Sequence, residues 1–171
     1  MKKSLTTLEA YRAMYEFVNG YFIATGKPED IQHLLLAMLL TTKPNPAILD
    51  DYNEGFEPLD RALWRDWLKG IARIANDQNE RIPNRLTVLE AYIAMYIFLE
   101  IWYEIGEKSE EPIGELLEKM KFMENGNKLD VDEWLLDRGQ PSDPVLWAKW
   151  LHAINLVTSV DLILNSTTDG R

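Results

Sequence analysis

The feature that most constrains the fold of this chain is a near-repeat of thirteen residues. Leu5–Phe17 reads LTTLEAYRAMYEF and Leu86–Phe98 reads LTVLEAYIAMYIF, with ten of the thirteen positions identical at an offset of 81. Self-similarity at a fixed offset indicates that a structural unit has been duplicated. We therefore expect two copies of one unit, packed together with approximate twofold pseudo-symmetry.

Apolar residues in both copies recur at the spacing of an α-helix. From Leu86 to Ile105 the only charged residues are Glu90, Glu100 and Glu104, so this segment predicts a helix that is packed on several sides. Each copy continues with a short Ile/Leu-rich helix and then a helix that carries Trp-x-x-Trp-Leu. The predicted fold class is all-α, a tandem duplication of a three-helix unit, with helices over about 7–24, 29–40, 60–76, 86–105, 112–123 and 143–164.

Helix-capping pairs and loop-forming residues predict where the segments of the chain begin and end. The pairs Thr6/Glu9 and Thr87/Glu90 have the spacing of a capping box, in which a threonine and a glutamate close the start of a helix. Two long loops rich in Pro, Asn, Asp and Gly interrupt the two copies, with short helices predicted over 47–52 and 131–137. The predicted organisation is a first repeat over 1–77, a linker over 78–85, a second repeat over 86–165 and a disordered tail over 166–171.

Two sets of apolar residues allow more than one interpretation. Ile93 and Ile97 replace Arg12 and Glu16 of the first copy, so that side of the helix is either buried against the other copy or exposed to a partner. The four tryptophans of the Trp-x-x-Trp pairs, at 64, 67, 147 and 150, are expected in the core. The alternative for them is an aromatic cage around a ligand.

Charge is distributed unevenly along the chain. The net charge is −10, which argues against nucleic acid and anionic membranes as partners. Residues 1–85 hold 11 Lys+Arg and 12 Asp+Glu, whereas residues 86–171 hold 7 and 16, so the halves carry −1 and −9. We expect the second half either to aid solubility or to present an acidic face to a basic partner.

No pattern in the chain predicts catalysis or a cofactor. The absence of cysteine excludes disulfides, thiolate zinc sites and cysteine nucleophiles. There is no Gly-rich phosphate loop, HExxH or G-x-S-x-G motif, and His33 and His152 occupy non-equivalent positions, so no metal site is predicted. The N-terminus lacks the apolar run of a signal peptide, and the expectation is a cytoplasmic protein that is not an enzyme.

The acidic residues of the second half are the candidate partner-binding residues. They follow the central helix and recur in the second long loop, and if the two segments meet they form one negative patch with a tryptophan as its aromatic anchor. The predicted partner-binding residues are Glu104, Glu107, Glu110, Glu111, Glu115, Asp130, Asp132, Glu133, Trp134 and Asp137.

The repeated pattern L-T-x-L-E-A-Y-x-A-M-Y-x-F, followed by an Ile/Leu helix and D-x-x-L-W-x-x-W-L, resembles bacterial toxin immunity proteins. These are small acidic helical proteins of contact-dependent inhibition and related polymorphic toxin systems. The resemblance implies a cytosolic protein that binds one cognate toxin domain and blocks it. The acidic surface predicts that this domain is basic, with a nuclease as one candidate. Two alternatives stay open: a helical adaptor or homodimeric scaffold without a toxin partner, and a hydrolase that uses a carboxylate pair.

Overall fold

The structure is mostly helical, as predicted. A computed structural model of the 171-residue chain describes residues 4–42, 56–75, 82–106, 111–134 and 140–168. The helices among these residues are α1 (Thr7–Ala24), α2 (Glu29–Met38), α3 (Arg61–Ala75), α4 (Val88–Ile105), α5 (Glu111–Met120), α6 (Val131–Trp134) and α7 (Pro144–Thr168).

Both predicted capping boxes are present. The Thr6 hydroxyl accepts a hydrogen bond from the Glu9 N–H at 3.1 Å, and the Glu9 carboxylate accepts one from the Thr6 N–H at 2.7 Å. Thr87 and Glu90 form the same pair at 3.1 and 2.6 Å. These reciprocal bonds satisfy backbone donors that have no partner within the helix, which explains why α1 and α4 begin where the spacing predicts.

The ends of two segments differ from the predictions. The helix α7 continues to Thr168, so the disordered tail predicted to start at residue 166 is wrong for residues 166–168. The short helix predicted over 131–137 is helical over Val131–Trp134, and its remaining residues lie outside the described part of the chain. The helix predicted over 47–52 lies wholly outside the described residues.

Three small antiparallel sheets were not predicted. Each strand has only two or three residues, too few to show the alternation that identifies a strand in a sequence. The pairs are β1 (Ser4–Thr6) with β4 (Arg85–Thr87), β2 (Leu40–Thr42) with β3 (Phe56–Pro58), and β5 (Phe122–Glu124) with both β6 (Asn127–Lys128) and β7 (Gln140–Pro141).

The sheet formed by β1 and β4 joins the two halves. Its register places Leu5 opposite Leu86, the equivalent residue of the other copy, and both side chains are fully buried. In an antiparallel pair related by a twofold axis, only the central residues face their own equivalents, as Leu5 and Leu86 do. This register supports the predicted relation between the copies, whose full superposition stays a prediction.

The third helix of each half packs mainly on the first helix of the other half. The most extensive helix contacts in the molecule join α3 to α4 and α7 to α1. A Cβ atom at Gly70 would lie 3.0 Å from the Ala94 carbonyl oxygen, so glycine permits α3 to approach α4 closely. The halves therefore share one core, and Ile93 and Ile97 are buried within it at 0% and 3% exposure.

Equivalent aromatic contacts occur on the two sides of this core. The Trp67 ring lies 6.0 Å from Tyr11 and 6.4 Å from Phe98 between ring centroids. The Trp150 ring lies 6.2 Å from both Tyr92 and Phe17, the corresponding residues of the opposite copies. Both tryptophans are fully buried, which places them in the core rather than in an aromatic cage open to a ligand.

We expect the substitution Thr7→Val to raise the free energy of unfolding by about 1 kcal/mol. Thr7 is 2% exposed, and its hydroxyl has no hydrogen-bond partner among the described residues. The equivalent residue of α4 is Val88. A buried hydroxyl without a partner costs its desolvation energy, which valine avoids at nearly the same shape.

Urea denaturation of Thr7→Val beside the neighbouring variant Thr6→Val provides the measurement. The Thr6 hydroxyl caps α1, so its removal should lower stability by about 1 kcal/mol. The two adjacent threonines should thus respond in opposite directions. A loss of stability in Thr7→Val would show that its hydroxyl has a partner in solution.

Candidate functional site

An open acidic groove lies between the end of α4 and α5. Its volume is about 810 Å³, and carboxylates and tyrosines dominate its walls. The residues that line it are Tyr96, Glu100, Tyr103, Glu104, Glu111, Gly114, Glu115, Leu117, Glu118, Lys119, Lys121 and Ser142.

Helical spacing places the acidic and aromatic side chains of both walls. Tyr96, Glu100 and Tyr103 follow one another at steps of four and three residues, and therefore share one face of α4. Glutamates at 111, 115 and 118 follow the same spacing on α5. A Cβ atom at Gly114 would lie 3.1 Å from the Tyr103 hydroxyl oxygen, so the absence of a side chain there lets the tyrosine pack against α5.

Lysines neutralise only one end of the groove. Hydrogen bonds from Lys121 and Lys128 hold the pKa of the Glu118 carboxyl below its ordinary value. Among the described residues, neither Glu111 nor Glu115 has a cationic group within 4 Å. The negative charge of the groove is therefore concentrated near the start of α5.

Tyr96 is a neutral phenol at the base of the groove. Burial raises the pKa of its hydroxyl far above the ordinary value, and the nearby carboxylates of Glu100 and Glu118 raise it further. The Trp134 ring supports Tyr96 at 4.8 Å between centroids. Tyr96 therefore stays protonated at neutral pH and can donate a hydrogen bond.

The structure brings together only some of the predicted partner-binding residues. Glu104, Glu111 and Glu115 line the groove, and all three are exposed. Glu107, Glu110 and Asp137 lie outside the described residues, as does the side chain of Asp132.

The loop residues near α6 have a local structural role. The Asp130 N–H donates to the Glu133 carboxylate at 3.0 Å, so these two residues stabilise the start of α6 and do not line the groove. Trp134 is 1% exposed and its indole N–H donates to the Leu129 carbonyl at 3.0 Å. The prediction of Trp134 as an exposed anchor is therefore wrong: it is a core residue beneath Tyr96.

The acidic and aromatic residues of the groove that sequence reasoning missed are Tyr96, Glu100, Tyr103 and Glu118. The signal for Glu118 was the step of three from Glu115, which places both on one face of α5. Tyr96 and Tyr103 lie in the mostly apolar central helix, for which the sequence predicts packing on several sides. Periodicity indicates a shared face but not which end of that face opens to solvent.

The described part of the chain contains no group of three His, Asp or Glu side chains arranged to hold a metal ion. Within the same residues, no helix combines the length and hydropathy needed to cross a bilayer. Comparison of the chain with protein families, with curated proteins and with solved structures found no match.

Proposed function

We propose that this chain is an immunity protein that binds and neutralises a cognate bacterial toxin domain. The observation that carries the proposal is the acidic groove, which combines five glutamates with two tyrosines on rigid helices. Such a surface suits a basic partner, because carboxylates attract lysine and arginine side chains and tyrosines pack against them. The resemblance of the repeated motif adds the toxin as the class of partner.

A nuclease domain is the candidate toxin that this surface suits best. The active site of a nuclease is built to receive phosphate, and protein carboxylates can occupy the same positive surface. The net charge of −10 would increase the rate of encounter with such a domain. In this proposal the protein acts in the cytosol by covering the active site, without catalysis, cofactor, nucleic acid or membrane.

The two alternative functions predict different experimental results. A helical adaptor or scaffold would bind partners without protecting cells against a toxin. A hydrolase that uses a carboxylate pair would bind a substrate analogue in the groove and lose activity when one glutamate is changed to glutamine. Protection against a basic toxin-like domain encoded beside the gene separates the proposed function from both.

We expect the double variant Glu111→Lys/Glu115→Lys to associate with that toxin domain at least about tenfold more slowly at low salt. The wild-type association rate should fall steeply as salt rises, whereas the rate of the variant should change little. Stopped-flow mixing across a salt series measures both rates. A growth assay with the co-expressed toxin tests protection.

The matched control is Glu16→Lys/Glu29→Lys, which changes the net charge by the same amount in the first half. Glu29 begins α2 as Glu111 begins α5. The control should lose less of the association rate and of the salt dependence than the groove variant, because it leaves the groove carboxylates in place, and it should retain protection. If the groove variant associated and protected as well as the control, the groove would not be the binding site.

A further inference from the structure

Three polar positions at one side of the acidic groove have leucine equivalents in the first half. With the repeat offset of 82 in α2 and 83 before α3, Glu118, Lys121 and Ser142 correspond to Leu36, Leu39 and Leu59. We call these three leucines the leucine triad. At each of these three positions a charged or polar side chain of the second half is thus replaced by leucine in the first half.

The backbone at the two surfaces makes the same hydrogen bonds. The Leu59 N–H donates to the Leu39 carbonyl at 2.9 Å, and the Ser142 N–H donates to the Lys121 carbonyl at 2.7 Å. Beneath the surfaces, the hydroxyls of Tyr11 and Tyr92 donate to the carbonyls of Met38 and Met120, both at 3.1 Å. The halves therefore differ here in surface chemistry and share the local fold.

The leucine triad is not needed to fill the core. Its side chains are 50%, 38% and 59% exposed, and the second half builds the same local structure with polar residues. Ile23, the equivalent of Glu104, is 58% exposed. Four of the seven exposed large hydrophobic side chains in the described part of the chain thus occupy groove-equivalent positions, which marks this face as an interaction surface.

We propose that the leucine triad is the contact face of a homodimer, with a second copy of this chain as its occupant. An apolar patch is complementary to its own copy across a twofold axis. The half that carries it has a net charge of −1, against −9 for the other half. Two copies that meet through the near-neutral halves face the least electrostatic repulsion.

The strength of this contact follows from its size. Three leucines are a small fraction of the roughly 800 Å² that each partner buries in a stable interface of standard size. We therefore expect a weak dimer whose population depends on protein concentration. Because the contact is apolar and the remaining charge repels, added salt should strengthen the dimer, the opposite of its effect on binding through the acidic groove.

Sedimentation velocity of the full chain, from low to several hundred micromolar, tests the proposal. The variant Leu36→Glu/Leu39→Lys/Leu59→Ser installs the residues that the second half already carries at these positions. The wild type should show a monomer–dimer equilibrium that salt strengthens. The variant should be monomeric throughout, with an unchanged circular dichroism spectrum.

The control variant is Ile105→Ser/Val145→Ser/Leu156→Ser. It removes the three exposed large hydrophobic side chains of the described residues that do not occupy groove-equivalent positions. It should dimerise as the wild type does. The single variant Leu59→Ser, at the most exposed triad position, should weaken the dimer and covers the case in which the triple variant does not fold. A monomeric wild type, or a triad variant that still dimerises, would overturn the proposal.

Discussion

Replacing Trp150 with alanine should lower the free energy of unfolding by about 3–5 kcal/mol. The side chain is fully buried, and it contacts Tyr92 of its own half and Phe17 of the other. Its indole N–H also donates to the Val88 carbonyl at 3.1 Å. Truncation would open a cavity where the two halves meet, so both halves should unfold in one transition at lower denaturant.

Trp67 provides the matched comparison for this prediction. It is equally buried, but its indole nitrogen has no hydrogen-bond partner among the described residues. Trp67→Ala should therefore also be strongly destabilising, but both Trp150→Ala and Trp150→Phe should cost about 1 kcal/mol more than the same change at Trp67. Urea denaturation of the four variants measures these differences. Unchanged stability in either alanine variant would contradict a core role.

The free energy of unfolding should also fall steeply above pH 10. Burial is the main cause that raises the pKa of Tyr11, Tyr92 and Tyr96 far above the ordinary value of 10.0. These phenols stay protonated in the folded protein and ionise in the unfolded chain. Below pH 10 these groups do not change the free energy of unfolding. Above pH 10, each of the three tyrosines lowers the free energy of unfolding by about 1.4 kcal/mol per pH unit.

Urea denaturation from pH 8 to pH 11 measures this slope, and the variants Tyr11→Phe, Tyr92→Phe and Tyr96→Phe test its origin. In each variant the free energy of unfolding should fall less steeply with pH, by about 1.4 kcal/mol per pH unit, because phenylalanine does not ionise. Ultraviolet titration of the native protein should show these three phenols resisting ionisation until the protein unfolds. Ionisation of all seven tyrosines near pH 10 in folded protein would contradict the prediction.

The positions of the main helices could be predicted because the information is local. A helix start depends on residues three apart, as in Thr6 and Glu9, and a buried face depends on residues three and four apart. Both patterns occur within one segment of chain. Glu111 and Glu115 were predicted as members of the acidic patch from their place just after the central helix, and both line the groove.

Whether Trp134 and its acidic neighbours are buried or exposed could not be predicted in this way. A tryptophan beside acidic residues is compatible with an exposed binding residue and equally with a core residue whose acidic neighbours are at the surface. The contact of its ring with Tyr96 decides the question, because it joins residues that are far apart in the chain.

The sequence by itself determined the helical class, the helix starts, the repeated motif and the concentration of negative charge in the second half. Only the tertiary structure decided that α3 packs on α4 and α7 on α1, and that β1 pairs with β4. It also decided that the leucine triad is exposed at positions whose equivalents in the second half line the acidic groove. The physical reason is that hydrophobic periodicity records which face of a helix is buried, but not which neighbour buries it. That choice depends on side chains far apart in the chain, such as Gly70 against Ala94, meeting in one core.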